Sequence, residues 1–127
     1  MSAASFVDAY LGLNTKLDHL QKRLSQGDLE TRECVLSGQA LLQFWHAQLA
    51  EETGSLLPET LLYQWRSLHT EIHRELRLLN MDLIFLGRTR TAKTRAEKEK
   101  SIGDRLNRLS QYCQKIINLD AQDTPEA

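Results

Sequence analysis

The sequence predicts an all-α fold, an antiparallel up-down-up-down four-helix bundle with a long hairpin between its third and fourth helices. Apolar residues recur at steps of three and four in four separate stretches, and short connections holding Gly or Pro divide them. No stretch alternates apolar and polar residues with the period of a strand. Short connections make successive helices antiparallel neighbours. With 127 residues the chain fits one domain. We read a single bundle domain over residues 1–119 and a flexible acidic tail, DAQDTPEA, over residues 120–127.

The first helix carries Phe6, Tyr10, Leu13, Leu17, Leu20 and Leu24 as a heptad seam. Gln26-Gly27-Asp28 breaks it, and Asp28 is placed to cap a second helix over residues 28–53 with Val35, Gly38, Leu42, Trp45 and Leu49 inward. Gly38 would let a neighbouring helix approach closely. Thr53-Gly54-Ser55 ends this helix, and Pro58 suits the first turn of the next, where its missing N–H is not needed. The third helix runs to Leu86 with Trp65, Leu68, Ile72, Leu76, Leu79, Leu83 and Leu86 inward, and Gly87 reads as the left-handed residue that stops it. Thr94-Arg-Ala-Glu97 has the form of a capping box, although the fourth helix can begin as early as Thr91. Ile102, Leu106, Leu109, Cys113 and Ile116 continue its seam.

Facing seams fix a register for the last two helices: Trp65 with Ile116, Ile72 with Leu109, Leu76 with Leu106 and Leu79 with Ile102. Continued upward, Leu83 faces Lys98 and Leu86 faces Arg95, so apolar meets cationic. If the second connection turns tightly near residue 56, Leu29 lies beside Asp82 and residues 83–87 project past the first two helices. The expectation is a greasy, basic-rimmed tip made of Leu83, Ile84, Phe85, Leu86, Arg88, Arg90, Lys93 and Arg95, the kind of apolar patch that marks an interaction site. The alternative is that the first helix slides upward and buries the apolar residues, leaving Arg88, Arg90, Lys93 and Arg95 as a solvated turn.

Formal net charge is −1, which argues against a dedicated nucleic-acid binder, but residues 88–127 hold nine Lys/Arg against six Asp/Glu. The basic surface belongs to the last helix and the turn before it. Two cysteines, Cys34 and Cys113, are too few and too far apart for a disulfide framework or zinc site, so reduced thiols are expected. The amino-terminal MSAASFVDAYLG has no secretory pattern, which points to the cytoplasm. Its longest apolar run, LRLLNMDLIFLG, falls short of the ~20 residues of a spanning helix, so no membrane association is expected.

Candidate chemistry is sparse. His69 and His73 share a helix face at zinc-ligand spacing, but no third ligand is evident, and an ordinary polar pair explains them. Asp82 interrupts an apolar run without a cation three or four positions away, and so requires Lys98 or Lys100 from the next helix if half-buried. Arg77 and Asp104 face each other in the register and are expected to pair. With Asp82 and Arg105 they are read as structural polar residues. No catalytic residue, cofactor site or metal site is assigned.

The stretches HTEIHRELRLLNMDLIFL and IGDRLNRLSQYC, in this order and spacing, resemble the cyanobacterial heterocyst frequency control family PatD over about 40% of the chain. The matching positions include Thr70, Glu71, Leu76, Arg77, Leu78, Leu79, Asp82, Phe85, Leu86, Asp104, Arg105, Leu106, Tyr112 and Cys113. The resemblance implies a small cytosolic regulator without enzymatic activity, linked to heterocyst differentiation and to the cell division protein FtsZ, and acting by protein binding. A second copy of this chain is a further candidate partner. The alternative is a nucleic-acid-binding regulator using Arg88, Arg90, Lys93, Arg95, Lys98 and Lys100, though Glu97 and Glu99 interrupt that stripe and aromatics for base stacking are few.

Overall fold

The structure is a computed structural model describing residues 3–27, 29–55 and 57–122. Among these residues the chain forms four α-helices and no strand: α1 (Ala3–Ser25), α2 (Thr31–Gln48), α3 (Glu59–Gly87) and α4 (Ala92–Gln122). Asp28, expected as a cap, lies outside the described residues, as does the Phe6 side chain. Glu30 precedes α2 in extended conformation without a side-chain cap. α4 continues through Gln122, into the segment expected as a tail, and residues 123–127 lie outside the description.

The heptad seams form the core. Tyr10, Leu13, Ile72, Leu79, Ile102, Leu109 and Ile116 are fully buried, with Leu17, Trp45 and Leu76 almost so. Contacts between α3 and α4 follow the expected register: Leu86 O lies 3.5 Å from Arg95 Nη1, Asp82 3.6 Å from Lys98, and Glu75 2.6 Å from Arg105. Asn14 and Ser110 join α1 to α4 by a 2.8 Å hydrogen bond. α1 meets α2 through an Arg23–Glu33 ion pair and through Phe44, whose ring packs on Gly12.

The α2–α3 contact departs from expectation. Thr31 Oγ1 donates to Gly87 O at 3.1 Å, Gly38 packs on Asn80, and Trp45 stacks on His73, each seven-residue step up α2 matching seven down α3. Compared with the predicted pairing of Leu29 with Asp82, α2 has slid by about seven residues, two turns or roughly 10 Å, toward the α3–α4 turn. The cause lies in the connection. α2 ends at Gln48 instead of Thr53, because Leu49 leaves helical geometry and turns into the core at 1% exposure. The segment that follows does not turn tightly. It runs back along the first turns of α3 and packs Gly54 against Leu62 and Trp65. Gly54 adopts φ +71°, and a Cβ there would meet the Trp65 ring at 2.8 Å, so glycine is required twice over.

The slide removes the projecting tip. With the α1–α2 turn at the height of Gly87, Leu83 and Leu86 are both fully buried, and Leu29 is covered at 4% exposure. Truncating side chains at such sites typically costs about 2–5 kcal/mol, which makes both leucines stability residues.

Candidate functional site

The α3–α4 turn is built by local hydrogen bonding. Arg88 N–H donates to Phe85 O at 2.9 Å, and the Thr89 hydroxyl donates to Leu86 O at 2.8 Å. Gly87 does not adopt the left-handed conformation expected of it. It is the last residue of α3, and its missing side chain makes room for Thr31, whose Cγ2 would sit 2.9 Å from a Cβ. α4 takes the earlier of its two possible starts: Thr91 Oγ1 accepts the Thr94 N–H at 3.1 Å, which satisfies one orphan donor of the first turn.

The predicted tip residues divide into three groups. Leu83 and Leu86 belong to the core, and Ile84 is half-buried. Arg95 is turned inward: its guanidinium donates to Leu29 O at 3.0 Å and to Leu86 O, and pairs with Glu99 at 3.0 Å. It holds the α1–α2 turn against the end of α3, which is a structural role the sequence did not reveal. Phe85, Arg88, Arg90 and Lys93 remain at the surface, Phe85 at 50% exposure.

Phe85, Arg88, Arg90, Thr91, Thr94 and Lys98 line an open cavity of about 490 Å³. Lys98 Nζ lies 5.6 Å from the centre of the Phe85 ring, close enough for a cation–π contact. Among the described residues Arg88, Arg90 and Lys93 have no carboxylate partner. An apolar ring bordered by unneutralised cations can hold an apolar group and an anion side by side.

No protein-family model, curated protein or solved structure matches the chain.

The structural polar residues also sort differently from expectation. Arg77 and Asp104 are both exposed, and the polar link between α3 and α4 runs through Arg105, which donates to Asp82 at 3.0 Å and to Glu75 at 2.6 Å. Hydrogen bonds to these carboxylates outweigh burial and raise the Arg105 pKa, keeping the guanidinium charged. Lys98 reaches Asp82 at 3.6 Å, the cross-helix cation a half-buried aspartate needs. Glu75, buried at 5% exposure, was not anticipated; it lies at the edge of the α3 seam, where a helical pattern assigns neither face.

At the opposite end of α3, His69 lies between Trp45 and Trp65, with ring centroids 4.5 and 4.6 Å away. Trp65 Nε1 donates to Tyr10 Oη at 2.9 Å, and Tyr10 Oη lies 2.6 Å from His69 Nδ1. The phenol and the imidazole thus share one hydrogen bond, whose direction follows the imidazole tautomer. Burial pushes the His69 pKa down to about 4 and raises that of Tyr10. His69 and His73 thus belong to a packed aromatic cluster, and among the described residues no group of three or more His, Cys, Asp or Glu side chains could hold a metal ion. Cys34 and Cys113 are buried free thiols, both raised in pKa by desolvation, Cys113 to about 12. Among the described residues no helix is long and apolar enough to cross a membrane.

Proposed function

We propose that this chain is a non-enzymatic cytoplasmic regulator, an antiparallel up-down-up-down bundle that docks an acidic protein surface at its α3–α4 end. Opposed numbering supports the topology: Thr31 and Gly38 meet Gly87 and Asn80, Asp82 and Leu86 meet Lys98 and Arg95, and Asn14 and Gln21 meet Ser110 and Gly103. One observation carries the function: half-exposed Phe85 sits in an open cavity beside Arg88, Arg90 and Lys98, and two of these cations have no acidic partner among the described residues. Unpaired cations around an apolar centre steer an acidic partner and set its orientation, while the apolar contact supplies affinity. The resemblance to PatD, which includes Phe85 but none of the cationic residues of this surface, suggests the partner: FtsZ, in heterocyst differentiation and cell division of a cyanobacterium.

The test is binding of purified FtsZ to the immobilised chain. Phe85→Ala and the pair Arg88→Glu/Arg90→Glu are expected to lose most of the signal, and undiminished binding by both rejects the surface. Leu86 is avoided, since its burial would confound binding with folding. Titration with duplex and single-stranded DNA at rising salt tests the nucleic-acid alternative, because phosphate binding weakens steeply with salt. Retention of DNA with no retention of FtsZ would replace the protein reading.

A further inference from the structure

α3 carries a second stripe that its core seam does not use. Arg74, Leu78, Met81, Phe85 and Arg88 follow one another at steps of four, three, four and three, and therefore share one outward face. Met81 is 52% exposed, Phe85 50%, and Leu78 is half-buried. An outward heptad with apolar residues at its centre is half of a helix–helix seam without the other helix.

The charges beside this stripe are out of balance. Glu75, buried, is shared by three arginines: Arg105 Nη1 at 2.6 Å, with Arg108 only at 3.8 Å and Arg74 also at 3.8 Å while it donates to the more exposed Glu71 at 3.3 Å. The side chains of Arg74 and Arg108 are 56% and 46% exposed, so their guanidiniums keep donors turned to water. Lys98 and Arg105 share Asp82 in the same way. Arg88 and Arg90 close the upper end. Cations therefore line both ends of the apolar stretch; Glu75 and Asp82 lie beneath them, between α3 and α4, and Glu71 stands beside Arg74 at the lower end.

We infer that the α3–α4 groove binds an acidic amphipathic helix of a partner protein, about four turns long. The proposal rests on the docking function above and extends it from the turn to the length of the groove. Arg74 to Arg88 spans about 21 Å at ~1.5 Å per residue, the length of some fourteen helical residues. The partner would place apolar side chains on Leu78, Met81 and Phe85 and direct carboxylates to Arg74 and Arg108 at one end and to Arg88 and Arg90 at the other. A two-fold second copy is disfavoured, since it would set this cationic face against itself.

The test uses fluorescence anisotropy with a labelled synthetic eighteen-residue peptide. It carries Leu at heptad seam positions and Glu on both flanks, and is compared with a scrambled peptide of identical composition. Expected is binding that weakens at least about tenfold on scrambling, and by a similar factor in Met81→Asp and in Arg74→Glu/Arg108→Glu. These three residues are exposed, and unchanged melting curves confirm that the variants fold. Equal binding of the scrambled peptide overturns the helix as occupant. Sensitivity to Phe85→Ala and Arg88→Glu/Arg90→Glu alone overturns the groove while leaving docking at the turn intact. No binding of either peptide, alongside FtsZ binding that depends on Phe85, has the same meaning, whereas loss of both removes the two readings together. Tighter binding to vesicles of anionic lipid than to the peptide also overturns it.

Discussion

The two ends of α3 treat their polar groups in opposite ways. At the amino-terminal end the indole of Trp65, the phenol of Tyr10 and the imidazole of His69 satisfy one another inside a cluster roofed by the connection that carries Leu49 and Gly54. At the carboxyl-terminal end Arg88 and Arg90 stand in water beside a half-exposed ring, with no acid among the described residues to meet them. A polar group bonded within the fold contributes to stability, and one left unpaired at the surface is available to a partner. The same helix thus divides into a structural end and a binding end, and substitutions should separate the two properties.

The largest effect belongs to the structural end. Trp65→Ala removes a nearly buried indole, the donor to Tyr10 and the surface on which Gly54 rests. A loss of about 3–5 kcal/mol is expected in urea unfolding, since cavity formation and the loss of the indole hydrogen bond to the Tyr10 phenol act together. A loss under about 1 kcal/mol would mean that the cluster is not a stabilising unit. Peptide binding at the other end, measured below the unfolding transition, should be unaffected.

Acidification should distinguish the ends next. His69 has a pKa of about 4 in the folded chain, below the ~6.5 of an unfolded imidazole, because burial disfavours its charge. The unfolded chain therefore takes up the proton first as pH falls. The His69 contribution is fully present above pH ~6.5 and is lost progressively as pH drops toward ~4. His73 is shifted in the same direction, by burial first and then by Arg77 and His46, and adds to the slope. Urea midpoints measured from pH 7 to pH 4 should fall, and His69→Phe should flatten part of that fall. A midpoint that holds steady across this window would mean that His69 is not buried as a neutral base.

Much of this division could be read from the chain. Seams at three- and four-residue spacing located all four helices, and pairing Leu79 with Ile102 or Ile72 with Leu109 set the α3–α4 register, because a short turn leaves little freedom. The α2–α3 register could not be read in the same way. Gly54 marked a break, but nothing local indicated that Leu49 would leave the helix early or that the connection would lie along Trp65. Two turns of slide followed, and with them the burial of Leu83 and Leu86. Long-range contacts also explain why Arg95 looked like part of the binding rim: its acceptor, Leu29 O, is 66 residues away in the chain. Phe85 and the arginines after it remained at the surface because their exposure depends on the turn itself. The outward heptad through Met81 was present in the sequence but overshadowed by the stronger inward one.

The smallest stability effect is the most discriminating, because its sign differs from that of its effect on binding. Lys93 occupies the first turn of α4, where unsatisfied N–H groups and the helix dipole favour negative charge, and that turn contains no acid. A cation there is electrostatically misplaced for folding. Lys93→Glu should therefore stabilise the chain by about 0.3–1 kcal/mol at low salt, an increment that fades as salt screens it. If the cationic end serves an acidic partner, the same substitution should weaken FtsZ capture, because it reverses a charge at the rim of the cavity. Higher stability with weaker capture is the signature of a charge kept for binding at some expense to the fold. Higher stability with unchanged capture would exclude Lys93 from the interface and confine docking to Phe85, Arg88 and Arg90.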